Sequence, residues 1–283
     1  MQDFRQGNDI FTQQQAAAAG MMTRNVMRDD FGYETPVESV PLPSMGAIYP
    51  EGSALHGAET LEIKAMTAKE EDILTSKALI KKGTVISELL SSCVIDKSID
   101  VNQMITGDRN AIMTAIRITG YGSSYTCEVD CPACGEKNKQ DFNLAELPIK
   151  RLAIDPAVPG ANIFTYQLPL SKKKVSFKFL TGTDEIEISQ EMERRKKKLG
   201  SETDNLVTIR LQYSIISIDD VKDRAKISQF IRNMPAGDSR ALRKFMDDNE
   251  PGIEMKSWMQ CSSCSEQSEV RLPMGASFFW PDA

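Results

Sequence analysis

Cys131-Pro132-Ala133-Cys134-Gly135-Glu136-Lys137-Asn138 and Cys261-Ser262-Ser263-Cys264-Ser265-Glu266-Gln267-Ser268 are two copies of one short pattern. Each follows a stretch that alternates like a strand and runs into another, ending in Asp141-Phe142-Asn143-Leu144 and Glu269-Val270-Arg271-Leu272. Strand, C-x-x-C, small residue, Glu, strand is the layout of a hairpin carrying a metal knuckle. Two cysteines three apart in a tight turn direct both sulfurs and several backbone N–H groups at one point. A pair supplies half a tetrahedron, and two facing pairs close it around Zn2+ at Zn–S distances of ~2.3 Å. Cys131, Cys134, Cys261 and Cys264 are therefore the expected ligands of one structural zinc ion. A closed four-thiolate shell has no position for water or substrate, so it contributes folding energy. Apparent values of ~10–16 kcal/mol exceed the stability of a typical domain.

Residues 135–260 separate the two pairs, against the ~15–20 of a compact four-cysteine motif. The sequence thus predicts an α+β protein in four parts. Residues 1–45 form an extended N-terminal arm, and 46–150 a mixed α/β unit ending in the first knuckle. Residues 151–252 form an inserted hairpin plus helical unit, and 253–283 the second knuckle with an aromatic tail. The two distant C-x-x-C hairpins together make a zinc ribbon. A redox dithiol would sit at a helix N-terminus, which lowers the thiol pKa; here Gly135 and a polar strand follow instead. Cys127 shares a strand face with Tyr125 and Val129, and Cys93 lies on an apolar helical stripe, so both read as core.

The chain of 283 residues is 41% hydrophobic and 26% charged, enough for a packed core. Its net charge of −6 lacks the basic surplus of a protein that lives on phosphate backbones. The run Arg194-Arg195-Lys196-Lys197-Lys198 shares its segment with Glu185, Glu187, Glu191 and Glu193 and reads as a solvated helix face. No stretch reaches the ~18 apolar residues that cross a bilayer. Met1-Gln2-Asp3-Phe4-Arg5 lacks a signal peptide's apolar core, so the chain is expected to be made in the cytoplasm. Six cysteines in that reducing compartment point to a metal. Catalytic signatures are missing: no G-x-S-x-G, no phosphate-cradling glycine loop, no H-E-x-x-H. The single histidine, His56, falls in a surface loop. The expectation is a protein that is not an enzyme.

Elsewhere, Leu61–Met66 alternates as a strand, and Thr67 with Glu70 forms a capping box for a helix through Leu74. Val85, Ile86, Leu89, Leu90, Cys93 and Val94 recur at helical spacing. Asp108 is placed as the cap of a helix that stops at Gly120-Tyr121-Gly122. Phe164–Leu168 and Val175–Phe179 form a hairpin. Helical patterns follow at 184–199, 202–217, 219–233 and 238–248, with Asp219-Asp220 and Asp247-Asp248 as cap and helix-end acids.

In order along the chain, several short motifs resemble the T-even-phage-type baseplate hub assembly family. They are Leu42-Pro43-Ser44-Met45-Gly46 with Tyr49, Met66-Thr67 with Glu70-Glu71-Asp72-Ile73-Leu74, and Leu79-Ile80 through Gly83 to Ile86 and Leu89-Leu90. Asp108-Arg109, Arg117, Gly120-Tyr121-Gly122, Cys131-Pro132-Ala133-Cys134, Leu168-Pro169, Val175 to Thr181 and Asp184-Glu185 continue the likeness. The resemblance covers about 45–185 and the final Leu-Pro and aromatic end. It implies a structural or assembly component of a bacteriophage contractile-tail baseplate, at or near the hub, residing in the virion. Partners would be other baseplate and tail proteins, docked through the N-terminal arm and through Phe278, Phe279 and Trp280, since aromatics are enriched at interface centres. The alternative is a zinc-ribbon nucleic-acid-binding module of transcription type. It predicts salt-sensitive DNA or RNA binding, and the acidic balance argues against it.

Overall fold

The computed structural model describes residues 27–28, 34–199, 206–274 and 278–279, and the structural statements below concern these. Most of the expected arm, and Trp280, lie outside them. The chain order is β1 (Met27–Arg28), β2 (Glu34–Thr35), β3 (Val37–Pro41), β4 (Thr60–Lys64), α1 (Ala68–Thr75), α2 (Lys77–Lys82), α3 (Val85–Cys93), α4 (Thr106–Tyr121), β5 (Ser124–Asp130) and β6 (Lys137–Asn143). Then come β7 (Ile149–Lys150), β8 (Phe164–Gln167), β9 (Lys174–Phe177), α5 (Gly182–Leu199), α6 (Leu206–Ser214), β10 (Ile215–Ile218), α7 (Arg224–Asn233), α8 (Ala236–Asn249), β11 (Gly252–Ile253), β12 (Lys256–Gln260) and β13 (Gln267–Arg271). The protein is α+β, as its sequence patterns indicate.

β3 pairs antiparallel with β4 from Val37↔Lys64 to Pro41↔Thr60. The stretch just before residue 45 thus carries core residues, Val40 and Leu42. The capping box forms: the Glu70 carboxylate accepts from the Thr67 backbone N–H at 3.0 Å and from its hydroxyl at 2.5 Å. Helix α4 runs through the centre, buried from Gly107 through Arg117 except at Asn110. Its first turn lies so close to the chain at Pro251 that a Cβ on Gly107 would sit 1.6 Å from the Pro251 carbonyl oxygen. Only glycine permits that approach.

Three charged side chains of this buried helix are each hydrogen-bonded, as burial of a charged group demands. Asp108 does not cap the helix, whose N-cap is Ile105. Instead its carboxylate accepts from the Ser44 N–H (2.9 Å), the Ser44 hydroxyl (2.6 Å) and the Tyr49 hydroxyl (2.6 Å), pinning the 44–49 loop. Burial pushes its pKa up even so. Arg109 donates to the Val101 carbonyl at 2.5 Å and to the Ser87 hydroxyl at 3.1 Å. Arg117 donates to three carbonyls: Phe278 (2.7 Å), Gly122 (2.7 Å) and Ser124 (2.9 Å).

Strands β8, β9 and β10 form a three-stranded antiparallel sheet in the order β10-β9-β8. Here the sequence reading needs two corrections. The helical pattern over 202–217 ends at Ser214, and Ile215-Ile216-Ser217-Ile218 crosses into a strand on β9. Three β-branched isoleucines in four residues favour the pleated surface. Asp219 and Asp220 do not cap the next helix; both have positive φ, 45° and 65°, in the turn before it. Asp223 is the cap, accepting from the Ala225 and Lys226 N–H groups at 2.8 and 3.1 Å.

β7 and β11 pair antiparallel, Gly252↔Lys150 and Ile253↔Ile149. The chain that leaves the first hairpin therefore returns beside its own exit before entering the second. One cluster of buried apolar side chains extends from Val40 to Phe279, with a small satellite of Leu180, Ile188 and Ile209.

The largest correction concerns the C-terminal aromatics. Phe278 is fully buried and Phe279 nearly so. The Phe278 ring meets Tyr125 edge-on at 5.3 Å and Phe279 at 5.2 Å. Its carbonyl takes the Arg117 bond, and Tyr125 donates to the Pro273 carbonyl at 2.6 Å. Phe278 and Phe279 are thus core residues closing over α4 and β5, not docking residues. Arginine, which a hydropathy reading places at a surface, supplies the polar cap that makes their burial possible.

Candidate metal centre

Each knuckle forms because an antiparallel hairpin delivers its cysteines to a short turn. β5 and β6 pair from Ser124↔Asn143 to Asp130↔Lys137, and β12 and β13 from Lys256↔Arg271 to Gln260↔Gln267. The turns match bond for bond. The Cys131 N–H donates to the Glu136 carbonyl (2.9 Å) and the Gly135 N–H to the Cys131 carbonyl (2.8 Å). The Cys261 N–H donates to the Glu266 carbonyl (2.9 Å) and the Ser265 N–H to the Cys261 carbonyl (2.9 Å). Both turns need a left-handed residue, Gly135 at φ 78° and Ser265 at φ 60°. Glycine adopts this without steric cost, and serine does not.

All four sulfurs lie within 4.8 Å of one another. Across the two knuckles, Cys131 Sγ is 3.8 Å from Cys264 Sγ, and Cys134 Sγ is 3.6 Å from Cys261 Sγ. A disulfide requires ~2.05 Å, so these are not bonded pairs. A tetrahedron with Zn–S distances of ~2.3 Å has edges of about 3.8 Å, which the cross-knuckle separations match. The donor set therefore fits a tetrahedral thiophilic cation. Among the described residues no other group of three or more His, Cys, Asp or Glu side chains is placed to hold a metal.

The surroundings favour a thiolate at Cys261 and oppose one at Cys134 and Cys264. Cys261 sulfur receives backbone N–H bonds from Cys264 and Ser263, which pull its pKa to about 6 against the opposing effect of desolvation. Cys134 receives the Glu136 N–H, but desolvation and the three neighbouring sulfurs outweigh it and push that thiol up to about 12. Four crowded thiols cannot all ionise together; a divalent cation would remove that conflict and release protons on binding.

Asn138, which sequence reasoning did not single out, ties the two halves together. It is buried on β6 and donates to Cys261 Sγ at 3.5 Å and to the Glu136 carbonyl at 2.9 Å. Its Oδ1 accepts from the N–H and the hydroxyl of Ser262, both at 2.8 Å. One side chain of the first knuckle thus orients the backbone of the second, the outer-shell role that tunes metal sites. The one signal was the mismatch between the two copies, where Ser268 stands in place of Asn138. Cys93 and Cys127 lie away from the cluster in the core, and burial pushes their thiols up to about 12 and about 11. His56 lies exposed in the 51–57 turns, its Nδ1 2.6 Å from the Tyr49 carbonyl.

A four-sulfur cluster thus brings together two hairpins that lie far apart in the sequence of an α+β protein. The model of the family described as T4 bacteriophage base plate protein matches residues 47–280, and the chain belongs to that family. No curated protein and no solved structure matches the chain. Membership makes it a structural protein of the phage baseplate, in the tail of the virion, and implies contacts with other baseplate proteins. Among the described residues no helix is long and apolar enough to cross a membrane.

Proposed function

We propose that the chain is a hub-proximal, non-enzymatic component of a contractile-tail baseplate, made in the host cytoplasm and held in shape by one zinc ion on Cys131, Cys134, Cys261 and Cys264. The observation that carries this reading is the cross-knuckle sulfur spacing of 3.6–3.8 Å between cysteine pairs so far apart in sequence. In a baseplate family such a closed site supports rigidity rather than chemistry. When bound, the metal would supply bonds that fasten the ends of the 151–252 insertion together. The chain's own residues orient the sulfurs: the knuckle N–H groups and Asn138 fix where they point.

The arm, residues 1–45, is read as the principal docking element. Val40, Leu42 and β3 root its end in the core. The test is incorporation into particles. The full-length chain should be recovered from purified virions beside hub and tail-tube proteins, with stoichiometric zinc. A chain truncated before residue 34 should keep its zinc and melting curve yet be missing from particles. Normal incorporation of the truncated chain would overturn the docking role of the arm, and a chain found only outside particles would overturn the hub-proximal placement.

A further inference from the structure

A cleft of about 1120 Å3 lies against the open end of the β12–β13 hairpin, away from its cysteine turn, and is walled also by the start of α4 and by α6, α8 and β11. Its lining runs against the charge of the chain. Seven Lys or Arg and four Asp or Glu side chains line it, in a protein whose net charge is −6. The carboxylates are partly occupied at home: Asp248 pairs with Lys244 at 2.7 Å, and Glu254 with Lys256 at 3.2 Å. Glu250, half-buried there, has its carboxyl pushed up to about 7 by burial despite Arg210 and Lys150, which weakens its negative charge further. Among the described residues Arg240, Arg243 and Arg271 line the cleft without a carboxylate partner. Arg240 and Arg243 are exposed on α8.

The cleft continues onto an apolar anchor. Lys256 and Arg271 face each other in the hairpin register, and Trp258 pairs with Glu269 on that same outer face. Trp258 is 70% exposed, more than any other large hydrophobic side chain described. Leu206 and Val207 of α6, also exposed, line the cleft. Tryptophan and arginine together are the residue types that dominate interface energetics.

We propose that this cleft seats an acidic, extended polypeptide segment of a neighbouring subunit, its carboxylates on Arg240, Arg243 and Arg271 and an apolar side chain on Trp258. The proposal rests on the baseplate reading, which supplies neighbouring subunits. Charge complementarity selects the acid. The mixed basic, acidic and apolar lining selects a peptide over a nucleic acid. A phosphodiester presents a charge at every nucleotide and would meet Asp247, Asp248 and Glu254, whereas a peptide alternating acidic and apolar residues also satisfies Leu206, Val207 and Trp258.

The test uses the full-length, zinc-loaded chain and two fluorescent probes, a 16-residue peptide alternating Glu or Asp with Leu or Val, and a 20-nucleotide single-stranded DNA. The peptide should bind, and Arg240→Glu with Arg243→Glu should weaken it at least about tenfold, the usual scale for lost charge complementarity. Trp258→Ala, tested separately, should weaken it by a similar factor. Zinc content and melting curve should stay unchanged in both variants. DNA binding without peptide binding, no binding of either probe, or peptide affinity indifferent to both variants would overturn the assignment. In particles, a double variant incorporated normally would sink the cleft and leave the baseplate reading standing. A wild-type chain missing from particles would sink that reading instead.

Discussion

The two knuckles share a pattern and a turn, yet they are built into the protein differently. The first is rooted. Tyr125, Cys127, Val129 and Phe142 of its hairpin are all buried, and Tyr125 is held by Phe278 and Pro273. The second is rooted through Met259, Val270 and Leu272 and turns Trp258 to solvent. The first supplies Asn138 to orient its partner and has glycine at its left-handed position. The second has Ser268 and Ser265 at the corresponding places. Where two halves of one site are this unequal, the rooted half sets the geometry and the other is brought to it.

Substitutions should rank accordingly, and the largest effect should be the one that does not distinguish the knuckles. Replacing Cys131 and Cys134 by serine, or Cys261 and Cys264, should abolish zinc binding and the cooperative melt in either case. The lost metal energy, about 10–16 kcal/mol, is as large as the about 5–15 kcal/mol that holds a domain folded. Circular dichroism and zinc analysis check this; one pair being dispensable would break the symmetry of the site. Next, Phe278→Ala should cost about 3–5 kcal/mol by emptying the site above Tyr125, read as a lower denaturant midpoint. A loss below about 1 kcal/mol would return Phe278 to the surface.

Asn138→Ser, which makes the first knuckle resemble the second, should weaken zinc binding about 10- to 100-fold in chelator competition. The reverse exchange, Ser268→Asn, should leave it nearly unchanged, since Ser268 has no corresponding contact with the opposite knuckle. Equal effects would remove the asymmetry. At the left-handed positions, Ser265→Gly should stabilise by roughly 1 kcal/mol and Gly135→Ser should destabilise by a similar amount. The smallest expected effect is Trp258→Ala, within about 0.5 kcal/mol of wild-type stability, because so little of that ring is buried.

The pairing of the two C-x-x-C turns, the two hairpins and the α+β class were legible in the sequence because cysteine spacing and strand alternation are local signals. The capping box at Thr67 and Glu70 was legible for the same reason. What the sequence did not reveal depends on long-range packing. Asp108 looks like a cap until Ser44 and Tyr49 arrive from the loop before β4. Ile215–Ile218 continues a helical period until β9 offers a strand partner. Phe278 and Phe279 read as an exposed tail because nothing near them in sequence reveals that Arg117, on a helix far upstream, accommodates their backbone. Asn138 was visible only as a mismatch between two copies, whose meaning depends on the knuckles facing each other.

The central claim is that four sulfurs from both knuckles share one cation. Zinc-edge X-ray absorption on the full-length protein, purified without added metal, addresses it directly. The account predicts one zinc per chain with four sulfur neighbours at ~2.3 Å. A first shell containing nitrogen or oxygen, or only two sulfurs, would contradict it.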